Sequence, residues 1–165
     1  MKDHVDEVLE QWSVERPDLD ASPMGVIGRI ARLGRSHDRS IGAVLASHGL
    51  QFDEFDVLAT LRRNGPPFRL TPTQLRSSMM VTSATMTNRL DKLERRSLIV
   101  READPDDRRG VLIFLTAAGR ALVDRAVADH VDNEHRLLAG LSATECNSLA
   151  NLLRKLAVAS DEEPS

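Results

Sequence analysis

The sequence predicts a mainly α-helical fold with one small β-hairpin, and three observations predict it. Both ends of the chain carry apolar residues at helical spacing, a strong helix stop and a capping box bracket two short helices in the middle, and two β-type runs flank a link of Asp, Pro and Gly. At 165 residues with 41% hydrophobic and 28% charged side chains, the chain is sized for a single domain, residues 1–165, around one core.

Residues 3–14 place Val5, Val8, Leu9 and Trp12 on one helical face, and that helix ends before Pro17. Ser22-Pro23 reads as an N-cap with proline in the first turn, opening a long helix through Ile27, Ile30, Ile41 and Leu45 to Gly49. A third helix covers about 51–63 on Phe52, Phe55, Leu58 and Leu61, and Asn64-Gly65-Pro66-Pro67 stops it. Thr71-Pro72-Thr73-Gln74 is a capping box that starts a short helix ending near Ser78. Thr82 or Ser83 is placed to cap the next, in which Met86, Leu90 and Leu93 recur at i, i+4 and i+7. Residues 98–102 and 111–115 then form a hairpin whose tip exposes Arg108 and Arg109. Thr116 caps a helix to about Leu138, and Ser142-Ala143-Thr144-Glu145 opens a last helix with a stripe of Leu149, Leu152, Leu153 and Leu156. Two short helices in tight succession followed by a hairpin make a winged helix-turn-helix over 51–116. Residues 1–50 and 117–158 form a helical region expected to bury its apolar stripes by pairing about a two-fold axis, so the N- and C-terminal helices dimerise the chain.

The net charge of −3 is unevenly spread. Residues 69–110 hold nine Lys or Arg against six acids, a net +3, which leaves −6 for the rest. A basic segment in an acidic chain suits contact with phosphates through one part only. The scarcity of aromatics, with no tyrosine and one tryptophan, disfavours stacking on single-stranded bases. The uncharged stretches are too short to span a membrane, the acidic start is unlike a signal peptide, and one cysteine, Cys146, permits no internal disulfide; a cytoplasmic protein is expected. Five scattered histidines, no HExxH and no glycine-rich phosphate loop leave no enzyme chemistry, metal or cofactor to expect.

A helix-turn-helix lays its second helix in the major groove of double-stranded DNA. At about 100° per residue, Met86, Leu90 and Leu93 turn inward while Thr85, Asn88, Lys92 and Arg95 turn outward. Ser83 and Thr85 at the helix start approach base edges, Asn88 pairs with adenine, and Lys92 and Arg95 reach phosphates. Arg108 and Arg109 lie at the neighbouring minor groove or backbone. Taken singly, each feature also fits a solvated amphipathic helix and a polar turn. A two-fold dimer would read a pseudo-palindromic site.

The runs Leu93-Glu94-Arg95-Arg96-Ser97-Leu98-Ile99-Val100-Arg101, Asp104-Pro105-Asp106-Asp107-Arg108-Arg109-Gly110 and Leu115-Thr116-Ala117-Ala118-Gly119-Arg120 resemble the MarR family of bacterial regulators, with its DxDRR wing and LTxxG helix start. Glu10-Gln11-Trp12 and the following Arg16-Pro17-Asp18-Leu19-Asp20-Ala21-Ser22-Pro23-Met24 resemble the amino-terminal extension of its PecS-type, urate-responsive branch. The resemblance implies a homodimeric repressor that leaves DNA when a small anion binds. It also implies a ligand set of Trp12, Asp56, Arg89 and Arg101. The residue chemistry suits that set, because two guanidinium groups attract a flat anion and Trp12 offers a stacking face. The structural alternative is an Asp56 to Arg89 salt bridge with Trp12 packed in a dimer core. A tricarboxylate such as citrate or aconitate would suit the arginines nearly as well as urate. A winged-helix protein-interaction module that binds no DNA is the remaining rival.

Overall fold

The computed structural model describes residues 2–79, 86–107 and 109–161. In chain order the elements are α1 (His4–Glu15), α2 (Pro23–Ser47), α3 (Phe52–Arg63), β1 (Arg69–Leu70), α4 (Pro72–Ser78), α5 (Met86–Arg95), β2 (Ile99–Ala103), β3 (Val111–Leu115), α6 (Ala117–Leu137) and α7 (Ala143–Asp161). The mainly helical fold with its hairpin is therefore as expected, with one addition. The hairpin is the larger part of a three-stranded antiparallel sheet in the order β1-β3-β2, with Arg69 opposite Phe114 and Val100 opposite Phe114 from the other side. A two-residue strand is too short to show any period-2 pattern, so β1 left no mark in the sequence.

Local chemistry explains most boundaries. Thr71 and Thr116 accept hydrogen bonds from the backbone N–H groups of Gln74 and Gly119, and Ser142 and Glu145 close a reciprocal box at α7. The expected cap at Ser22 is absent. Its backbone is already helical and its side chain caps nothing, while Asp20 Oδ1 accepts the Ser22 N–H at 3.0 Å. An upstream carboxylate thus reaches the first turn before the serine hydroxyl does. Helix α2 ends where Gly49, at φ +66°, lets Leu50 donate back to the Leu45 carbonyl and Gly49 to Ala46. Helix α5 ends by the same geometry, with Leu98 donating to Leu93, although here the left-handed residue is Ser97 at φ +55°.

The core gathers Phe55, Val57, Leu58 and Leu61 of α3 with Leu75, Leu90, Leu93, Ile99, Ile113 and Val123. Helix α3 is the hub: it packs against α6 on one side and against α4, α5 and the sheet on the other. Helix α1 packs on α2, where Arg29 donates to Asp3 at 2.9 Å and to Asp6 at 2.7 Å. Glycine 119 lets α6 approach β2, since a β-carbon there would lie 2.0 Å from the Leu98 carbonyl oxygen. In contrast α7 buries no residue in the single chain among those whose burial is described, and Leu152 is 67% exposed. Its leucines form one wall of a groove of about 930 Å³ whose other wall includes Leu9, Val26, Ile30 and Leu33. No helix among the described residues is long and apolar enough to cross a membrane.

Candidate nucleic-acid interface and its ion-pair frame

Helix α5 sits on the core by Leu90 and Leu93, both buried. Its flanks are held by charge. Arg89 Nε lies 2.7 Å from Asp53 Oδ2 on α3, with the arginine side chain 15% exposed. That contact is an ion pair and not a directed hydrogen bond, and the buried Nη1 of Arg89 makes no hydrogen bond among the described residues. On the other flank Arg101, on β2, donates to Asp91 and Glu94 at 2.7 Å each, and its backbone N–H adds a bond to Glu94 at 3.1 Å. Just past the helix, Arg96 reaches the buried Glu54 of α3 at 3.3 Å.

The outer face is different. Asn88, Lys92 and Arg95 are exposed, and their side chains make no ion pair or hydrogen bond among the described residues. The cations on and beside α5 thus divide: Arg89, Arg96 and Arg101 are each paired with a carboxylate of the protein, while Lys92 and Arg95 face outward beside Asn88. Ser83, Thr85 and Arg108 lie outside the described residues. Arg109 is exposed at the wing tip, where its N–H donates to the Asp107 carboxylate at 3.0 Å. The wing turn closes tightly, because Gly110 donates to the Asp107 carbonyl and its own carbonyl accepts from Asp104. A β-carbon on Gly110 would meet Asp104 Cβ at 2.8 Å.

The four residues of the expected ligand set are dispersed in one chain. Asp56 is buried on α3 with Arg63 Nη1 3.9 Å away, at a cleft of about 430 Å³ between α3 and α6 that includes Phe52, Phe55, Val127 and His130. The Asp56 to Arg89 bridge that the residues allowed is replaced by Asp53 to Arg89, because the first turn of α3 is the part that borders α5. Asp91 and Glu94 project from the side of α5 about 170° from Arg89, so Arg89 and Arg101 grip opposite flanks of that helix. Trp12 is 38% exposed on α1, which packs chiefly on α2. The pairing roles of Asp53, Glu54, Asp91 and Glu94 are not evident from the sequence. The i, i+3 spacing of Asp91 and Glu94 on one side of α5 was the available signal.

A model of the MarR family matches residues 48–110, the stretch from α3 through the wing. The chain is 41% identical over 152 residues to the HTH-type transcriptional regulator PecS of Dickeya dadantii, covering 92% of each. Among solved structures it is similar to a variant of Escherichia coli MarR complexed with operator DNA, at TM-score 0.70 and 26% identity over 94% of this chain and 99% of that one. It is also similar to Bordetella bronchiseptica BpsR, whose DNA binding is regulated by 6-hydroxynicotinic acid, at TM-score 0.71 and 28% identity over 80% and 92%. With the winged helix-turn-helix in place and kinship over nearly its whole length, the chain belongs to the MarR family of transcriptional regulators and is of the PecS type.

Proposed function

We propose that this chain is a homodimeric repressor that binds double-stranded DNA at a pseudo-palindromic operator and is released by a small anion. The observation that carries the DNA reading is the division of cations about α5: the outward face keeps Asn88, Lys92 and Arg95 available, while Arg89, Arg96 and Arg101 are each paired with a carboxylate. Asn88 suits adenine, and Lys92, Arg95, Arg108 and Arg109 suit phosphates or a narrow groove, with Ser83 and Thr85 at the start of the reading helix. A related protein bound to operator DNA supports the same reading. The uncovered leucines of α7 and the apolar face of α2 supply a self-complementary surface for dimerisation.

Release follows from the ion pairs. Trp12, Asp56, Arg89 and Arg101 are the proposed effector contacts; because they lie apart in one chain, the anion engages Arg89 or Arg101 rather than all four in that chain, with urate as the first ligand and a carboxylate such as citrate as the second. An anion that draws Arg89 from Asp53, or Arg101 from Asp91 and Glu94, loosens one side of the reading helix. Coupling of about 1–3 kcal/mol would weaken DNA binding by roughly 5- to 150-fold. The test is a fluorescence-anisotropy titration of duplexes selected by the protein from a randomised pool, run across a salt series with and without urate or citrate. Affinity falling steeply with salt and further with one anion is expected. Salt-independent binding would remove the DNA reading, and full response to the anion in both the Arg89→Ala and the Arg101→Ala variant would remove the effector site.

A further inference from the structure

Resting on the DNA reading above, we propose that Asp53 is a positioning residue for base discrimination, setting the roll of α5 about its own axis through Arg89. Among the described residues the helix covers Met86–Arg95 and rests on the core by the buried Leu90 and Leu93 and the partly buried Met86, all within about 60° of one another on one face. Such a seat fixes depth well and rotation poorly. A roll of about 30° would carry the tip of Asn88, some 5–6 Å from the axis, through about 3 Å. That is the whole length of the hydrogen bond it has to make.

Two opposed ionic stays resist that roll. Asp53 on α3 holds Arg89 at 2.7 Å on one flank, and Arg101 on β2 holds Asp91 and Glu94 at 2.7 Å on the other. The second stay is doubled and hydrogen-bonded, while the first is a single contact to a guanidinium that is mostly buried. Asp53 is therefore the weaker member on which the balance depends. Its removal leaves a mostly buried charge beside the core, which drives Arg89 toward the neighbouring cleft and releases the α3 hold on this flank of the helix. Asp53 also borders the same cleft as Asn88, Lys92 and Arg95, a space of about 350 Å³, so its own charge stands near the DNA face. Loss of that charge alone would raise affinity for every duplex equally, whereas loss of alignment spares phosphate contacts and removes base contacts.

The two effects separate in one experiment on the full-length chain. Affinities are measured for a duplex selected by the wild-type chain from a randomised pool and for a shuffled duplex of the same composition, using wild type, Asp53→Asn, Arg89→Gln and the double variant. Asp53→Asn is expected to cut the selected-to-shuffled ratio by about tenfold, with the salt slope unchanged, and the double variant to lose no more than either single one, as members of one ion-pair network do. Asp53→Glu, which keeps the carboxylate, is expected to retain most of the ratio. An unchanged ratio in Asp53→Asn, or a parallel rise in both affinities, overturns the inference alone. A wild-type chain that enriches no duplex from the pool and does not bind the unselected pool overturns the DNA reading and this inference with it.

Discussion

Replacing Gly119 by alanine tests how the reading unit is joined to the long helices. A β-carbon at this position would lie 2.0 Å from the Leu98 carbonyl oxygen and 2.9 Å from Leu115 Cδ1, against an ordinary separation of about 3.5 Å. Relief requires α6 and the start of β2 to part by more than about 1 Å. That carbonyl accepts from both the backbone N–H and the hydroxyl of Thr116, at 3.1 Å each. Losing both bonds costs about 2 kcal/mol, and the residual overpacking adds about 1–3 kcal/mol. The better helix propensity of alanine returns about 1 kcal/mol, for a net loss of about 2–4 kcal/mol. For a chain of this size the melting temperature should fall by about 5–15 °C in circular dichroism at fixed protein concentration. Gly42→Ala is the control, because a β-carbon there meets nothing within 4 Å and should stabilise α2 by up to about 1 kcal/mol. A Gly119→Ala protein that melts with the wild type would refute the packing argument.

Four other outcomes are expected. Lys92→Ala and Arg95→Ala should each weaken binding to all duplexes and lower the log–log salt slope by about 1, measured by anisotropy. Ser97→Gly should raise stability to urea by about 0.5–1 kcal/mol, since Ser97 holds a left-handed φ of +55°. Leu152→Glu should shift the chain toward monomer in analytical ultracentrifugation, because that leucine is 67% exposed in the single chain. The carboxyls of Asp3 and Asp6 are held below the usual carboxylate range, Asp3 mainly by its bond from Arg29 and Asp6 mainly by the Asp3 backbone N–H and then Arg29. Lowered folded-state values mean that their support for the α1–α2 contact is complete above about pH 4 and fades as pH falls through the folded-state values. Trp12 emission should report that loss in acid, and Arg29→Ala should abolish the acid step.

Much of the architecture was legible because it is written in short-range chemistry. Thr71, Thr116 and Ser142 each cap the helix that follows them, and the 3.6-residue spacing of Leu90 and Leu93 marks the buried face of α5. What escaped depends on how elements cross in space. Strand β1 exists because the chain after Gly65 returns to the open edge of β3, which no local pattern encodes. Asp53 and Asp56 occupy the same helix three residues apart, and only the crossing of α3 and α5 decides which one meets Arg89. The acids of α5 were legible as charge but not as partners, since Arg101 reaches them from a strand seven and ten residues away.

The Leu98 carbonyl has a mechanical consequence. One oxygen fastens the exit of the reading helix, the root of the wing and the first turn of α6, with the neighbouring Ser97 carbonyl accepting the Thr116 hydroxyl at 2.8 Å as a second rivet. Reading helix, wing and α6 therefore travel as one lever. Any change in the spacing between two such levers in a dimer is also carried to the glycine-terminated bend between α2 and α3, because His48 at the end of α2 is paired with Asp129 of α6 at 2.8 Å.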